Sequence, residues 1–164
     1  MDVMGVTPHP FRMMARVPDD MVSLVADGEW AAWSGLVCAA EGDRSAVVLV
    51  SIAVTPFCPA PGVVPAEVIK ATLRARDPEG EAVIEDFSTA DGLPAVRVRS
   101  AVTQCVNGRE VTTGQAQALV VYPGAGALGV VSGVCLNPAD LDRAGVLVAG
   151  IAARMTVTAA TAAA

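Results

Sequence analysis

The sequence predicts an α+β fold: an antiparallel β-sheet with a C-terminal three-strand meander, flanked by helices as an α/β/α sandwich. Three observations lead there. Ser45 to Thr55 is a nearly unbroken run of β-branched and aliphatic residues, the composition of a strand. Leu93 to Leu136 reads as three long strands separated by glycine-marked turns at Asn107-Gly108 and at Pro123 to Gly126. Two proline-led segments, from Pro65 and from Asn137-Pro138, instead carry apolar residues at helical spacing.

A chain of 164 residues, 53% hydrophobic, is long enough for one domain with a substantial core. We place that domain at residues 1–158, followed by a flexible Ala-rich tail at 159–164. Aromatics make up only 4%, so the core is built from small aliphatic side chains and needs close backbone approach. The formal net charge of -6, with the basic residues scattered, argues against nucleic acid and anionic membrane surfaces, which require clustered Lys and Arg. The longest apolar run, near Ala144 to Ala153, is broken by Gly145 and Gly150 and is too short for a membrane span. Met1 to Met14 lacks the charged and apolar regions of a signal peptide, so the expected location is cytoplasmic. Cys38, Cys58, Cys105 and Cys135 are far apart and His9 is the only histidine. No metal site or other cofactor is expected from that spacing, and the thiols read as buried small hydrophobes.

Taken in order, residues 1–9 read as a loose arm, because Pro8 and Pro10 each hold the preceding residue extended. Phe11 to Pro18 is a short strand. Pro18 can also open a helical turn over Asp19 to Val25. Trp30 and Trp33, three apart, fit one side of a helical turn or the ragged start of a strand running to Ala40. They serve either as large core plugs or as an aromatic ligand platform. Ser45 to Thr55 reads as a central strand buried on both faces. The prolines between Pro56 and Pro65 make a stiff loop. A helix follows, with Val68, Ile69 and Leu73 inward and Glu67, Lys70, Arg74 and Arg76 outward. Glu81 to Thr89 is a more polar strand near an edge.

Leu93 to Gln104 alternates Val96, Val98 and Val102 with Arg97, Arg99 and Ala101. Asn107-Gly108 fits a two-residue hairpin turn with positive φ at both positions. The return strand, Arg109 to Tyr122, divides Ala116, Ala118, Val120 and Tyr122 from Thr113, Gln115, Gln117, Leu119 and Val121. Ala127 to Leu136 closes the meander. Asn137 as N-cap, Pro138 and Asp140 begin a helix whose inward face is Leu141, Ala144, Val148, Ile151 and Ala152. A short strand at Met155 to Thr158 can end the fold.

The candidate binding residues are Arg97 and Arg99 with Gln115 and Gln117 on the neighbouring strand, a polar floor suited to a carboxylate or phosphate, and Trp30 with Trp33. The alternative for the arginines is an ordinary solvated face paired with Glu85 or Glu110. No catalytic residues are assigned. Asp19-Asp20 and Glu85-Asp86 are adjacent pairs, and neighbours on a strand point to opposite faces.

Gly92-Leu93-Pro94-Ala95-Val96-Arg97-Val98, the strand ending Val121-Tyr122-Pro123, Leu128 to Val134, the helix from Asn137-Pro138, and Ala153-Arg154-Met155-Thr156-Val157 together resemble the PsbP-like fold. That fold includes the photosystem PsbP subunit, Ran-binding Mog-type proteins, DcrB-like domains and LpqN-type lipoproteins. The resemblance covers about residues 80–158. It implies an antiparallel sheet with helices on both sides and largely non-enzymatic roles as accessory subunits, chaperones for secreted effectors and binding partners. No signal peptide or lipidation cysteine of the LpqN type is evident here, which speaks against a lipoprotein. The expected function is a non-catalytic protein-binding or accessory module, a chaperone or adaptor of bacterial secretion or toxin systems. The alternative is a small-molecule or lipid-binding domain with a pocket on the sheet. A protein partner is expected, and the low charge leaves a homodimer open.

Overall fold

A computed structural model describes the backbone of residues 12–17, 22–27, 31–41 and 44–160, and side chains from 47 to 157. The arm with His9, Trp30 and the tail end at 161–164 lie outside the described residues.

Nine strands and two α-helices are described. Strands β1 (Arg12–Val17), β2 (Val22–Asp27) and β9 (Thr156–Ala160) form one sheet, ordered β2-β1-β9. The helical turn expected over Asp19 to Val25 is replaced at its C-terminal end by β2, which pairs antiparallel with β1. Strands β3 (Ala31–Glu41), β4 (Arg44–Pro56), β5 (Val83–Ser88), β6 (Pro94–Val106), β7 (Arg109–Tyr122) and β8 (Ala127–Cys135) form a second sheet. Its order is β3-β4-β8-β7-β6-β5, and every neighbouring pair is antiparallel. Helix α1 is Pro65–Ala75 and α2 is Leu141–Arg154. This is an α+β architecture with an antiparallel sheet.

The β6–β7 turn follows from its sequence. Asn107 has φ 51° and Gly108 φ 75°, the left-handed geometry that Asn and Gly tolerate best. The turn sets the register Val106↔Arg109 through Ala95↔Val120. Once register is fixed, the two faces of every strand follow, because directly opposed residues share a face.

One face carries the larger core. Val48, Val50, Ile52 and Val54 of β4, alternate residues of β7 and β8, and Ala144, Val148, Ile151 and Ala152 of α2 form a single buried cluster. The helix lies close because Gly133 leaves room: a Cβ there would meet Val148 at 2.8 Å and Val48 at 3.0 Å. The opposite face holds a smaller core of Ile69 from α1 with Val96, Val98, Leu119 and Val121.

Strand β4 corrects the sequence reading. It is interior to the sheet, yet only one of its faces is buried. Val48 is fully buried while Val47 is 52% exposed and Leu49 47% exposed. The cause is the placement of α1, which contacts β5 and β6 and leaves the α1 side of β4 without a helix over it. Lys70 is corrected as well. Its ammonium is not turned to solvent but bonds Asp86 on β5 at 3.0 Å and Glu67 at 2.5 Å. These contacts, the Glu67 hydrogen bond first, hold its pKa above the ordinary lysine value.

Helix α2 starts later than its capping residues predict. Asn137 Oδ1 accepts from the Ala139 N–H at 3.1 Å, but Pro138–Asp140 forms a 3-10 turn before the α-helix begins at Leu141. Of the thiols, Cys135 is buried while Cys58 and Cys105 are exposed, and all three are free. Among the described side chains the expectation of buried cysteines therefore holds for Cys135 and fails for Cys58 and Cys105, while the Cys38 side chain lies outside them. Burial pushes the Cys135 thiol pKa up.

Candidate functional site

The register separates the four polar residues predicted to share a floor. Arg97 opposes Ala118 and Arg99 opposes Ala116, placing both arginines on the α2 side with the larger core. Gln117 opposes Val98, which belongs to the α1-side core, and Gln115 lies two residues along the same face. The sheet stands between the two pairs. Side-chain alternation was read correctly along each strand, but the relation between strands depends on the turn register.

On the α2 side the guanidinia are already committed. Arg97 donates from Nε and Nη2 to Glu85 Oε2 at 3.2 and 2.6 Å. Arg99 Nη2 donates to the same oxygen at 3.3 Å, and its Nη1 donates to Asp142 at the start of α2. Hydrogen bonding from Arg97, then the charges of both arginines, hold the Glu85 carboxyl below its ordinary pKa. Gly145 of α2 lies directly over Arg99, where a Cβ would come within 2.6 Å of Cδ. This cluster ties β5, β6 and α2 together. The pairing with Glu85 was one of the two sequence readings; Asp142, 43 residues from Arg99, had no sequence signal.

Trp33 lies on β3 opposite Ile52, in a strand rather than a helical turn. Trp30 lies outside the described residues.

The α1 side is different. Between α1 and strands β7 and β8 runs a groove of about 290 Å³, floored by Phe57, Ile69, Leu73, Leu119, Leu128 and Val130, with Arg76 and Gln117 at its edge. It continues into a smaller, polar recess of about 170 Å³ that shares Leu73, Arg76 and Gln117 and adds Ser100, Gln115 and Asp77. Asp77 is occupied, its carboxylate oxygens accepting from the Glu81 and Ala82 N–H groups at 3.2 and 2.7 Å. Gln117 donates to Ser132 at 3.2 Å. The Arg76 side chain makes no hydrogen bond or ion pair among the described residues, so it is the uncompensated charge at this edge. The arrangement can hold an apolar group in the groove and accept a polar or anionic one beside Arg76.

These groove residues were not singled out in the sequence. The available signal was the narrow stripe of α1: three apolar positions, Val68, Ile69 and Leu73, cannot cover a sheet face. Phe57, from the proline-rich loop, fills part of the remaining gap.

A larger hollow of about 510 Å³ lies on the α2 side of the sheet, between Leu93, Pro123, Gly124 and Val157. It is open to solvent, and Asp91, Tyr122, Ala125 and Thr156 complete its lining. Its Tyr122 hydroxyl is already used, donating to the Met155 carbonyl at 3.2 Å, and burial raises its pKa. Among the described residues no three of His, Cys, Asp or Glu converge as metal ligands, and no helix is long and apolar enough to cross a membrane.

No protein-family model matches the chain, and no curated protein matches it. Among solved structures, LpqN of Mycobacterium tuberculosis, described as involved in cell envelope biogenesis, aligns at 14% identity with a TM-score of 0.45. The alignment covers 91% of this chain and 86% of that one.

Proposed function

We propose that this chain is a non-catalytic binding domain, an accessory or adaptor module that receives an apolar segment of a partner protein in the groove between α1 and the sheet. The observation that carries this reading is the groove itself. It is lined by seven apolar side chains, Val68 of α1 included, and its polar edge offers one uncommitted cation among the described residues, Arg76. Burying apolar groups there gives affinity, on the order of 25 cal/mol per Å² of apolar surface removed from water. Arg76 and Gln117 supply orientation.

The non-catalytic reading rests on the same residues. The ionisable groups at the groove and its recess are Arg76 and Asp77, and the Asp77 carboxylate is engaged by two backbone N–H groups. A small apolar or lipid molecule is the second reading, favoured by the way the apolar groove runs into a polar recess.

The test compares wild type with Leu73→Asp and Arg76→Ala as bait in an extract of the native source, followed by crosslinking. Arg76 is exposed at the groove edge and Leu73 is half-buried in its floor, so circular dichroism first establishes that each variant is folded. A partner retained by wild type should be lost at least tenfold by Leu73→Asp and should crosslink near α1. A partner retained equally by both variants contradicts the reading. Native mass spectrometry separates the second reading, which requires a non-protein adduct that Leu73→Asp loses.

A further inference from the structure

The half of the sheet beyond α1 presents a second surface. The residues Val48, Cys135, Gly114 and Ala101 form one row across β4, β8, β7 and β6. Val48 and Cys135 belong to the α2-side core, which assigns this row to that side. The next residue on each strand therefore faces the α1 side. Following the register, that side carries Val47, Leu49 and Ser51 of β4, Ser132 and Val134 of β8, Val111, Thr113 and Gln115 of β7, and Ser100, Val102, Gln104 and Val106 of β6. The backbone register adds Ser34, Leu36 and Cys38 of β3 to the same rows.

Two properties set this surface apart. It is apolar and open: Val47 and Leu49 are about half exposed, Val106 is 49% exposed and Val111 41%. It is also nearly free of charge. On the α1-side rows of β3, β4, β6, β7 and β8 the single ionisable group of formal charge is Arg109, beside the hairpin turn. A solvated antiparallel face ordinarily carries charged and polar residues. Here the net charge of -6 is displaced elsewhere.

The hairpin strengthens the point. Strand β5 stops pairing at Arg99 and β8 stops at Gly114, while β6 and β7 continue together to Val106↔Arg109. Residues 101–113 thus form a two-stranded arm with no third strand among the described residues. Such ribbons are marginal in water without a further strand or a packed layer.

We propose that this face docks a second copy of the same chain, packing sheet on sheet in a two-fold dimer that includes the β6–β7 arm. An uncharged face gives no electrostatic purchase to a charged foreign surface. It is self-complementary in an isologous contact, where it leaves the acidic groups outside. At strand spacing near 4.8 Å and about 3.3 Å per residue, seven residues on each of β3, β4, β7 and β6 and the last four of β8 cover roughly 500 Å² of projected face per copy, at the low end of specific interfaces. The dimer should therefore be weak and concentration-dependent, with a micromolar dissociation constant. This surface adjoins the α1 groove, sharing Ser100 and Gln115 with its polar recess, but Leu49 and Val111 lie outside both pockets, so each proposal can be disproved separately.

Sedimentation velocity on the full chain tests it. Wild type should pass from monomer to dimer between micromolar and millimolar concentration, and more readily at higher salt because net charge opposes association. Val111→Lys and Leu49→Asp, both at exposed positions, should weaken association at least tenfold. Val146→Asp, on the 67% exposed outer side of α2, and Leu73→Asp in the groove should not change it. Hydrogen exchange needs no variant: amides of residues 101–106 and 109–113 should gain protection with concentration. A chain that stays monomeric to millimolar concentration overturns the proposal. So does a dimer that survives Val111→Lys and Leu49→Asp, or one broken by Val146→Asp.

Discussion

Glu85 is the residue on which the α2-side polar contacts converge, since one carboxylate oxygen accepts from both Arg97 and Arg99. Its folded-state pKa lies below the ordinary value of 4.5, through Arg97 hydrogen bonding first. A depressed carboxylate pKa contributes stability that is complete above the unfolded value and is lost as pH falls through the folded one. Glu85→Gln should therefore lower the melting temperature at pH 7, and the gap from wild type should narrow as pH drops below 4.5. A gap constant with pH would remove the ionic role. Gly145→Ala tests the neighbouring contact: a Cβ 2.6 Å from Arg99 Cδ pushes the Arg99 side chain from its Asp142 contact, which should offset the gain of about 1 kcal/mol that Ala brings to a helix interior, so urea unfolding should show no net stabilisation. The sequence shows that Arg97 and Arg99 share a face. It cannot show that Asp142 meets Arg99, because that contact depends on where α2 lands on the sheet.

Among the elements, the hairpin β6–β7 was the most legible. Asn-Gly has few alternatives to a tight turn, and one turn fixes the register of both strands. Gly108→Ala, at φ 75°, should destabilise the arm by about 1 kcal/mol. The effect should show as faster hydrogen exchange at residues 101–113 with little change in β4. Helix α2 was legible too: of its predicted inward residues Ala144, Val148, Ile151 and Ala152 are buried and Leu141 is half-buried, while Gly145, which was not predicted, is buried as well. Ile151→Ala should cost about 2–5 kcal/mol by denaturant unfolding. Strand β4 was legible as a strand but not in its burial. An apolar run looks the same whether both faces are covered or one is left open for contact. The missing information was the reach of α1. Its stripe of three residues hints at partial cover but does not say which strands stay bare.

At the scale of the whole molecule, the two sides of the six-stranded sheet have different roles. The α2 side is closed by the larger core and by the Glu85, Arg97, Arg99 and Asp142 cluster. The α1 side is partly covered, leaving an apolar groove beside the helix and an uncharged surface beyond it. Opposed arginine and glutamine pairs were merged in the sequence reading because two-residue alternation assigns faces within a strand but not across the sheet. The central claim is that binding belongs to the α1 side. The most direct measurement is methyl NMR of Leu and Val side chains during titration with the amphiphilic apolar probe 1-anilinonaphthalene-8-sulfonate. The account predicts saturable shifts at Leu73, Leu128 and Val130, with Val48 and Val148 unmoved. Shifts confined to Leu93 and Val157, on the α2 side of the sheet, would contradict it.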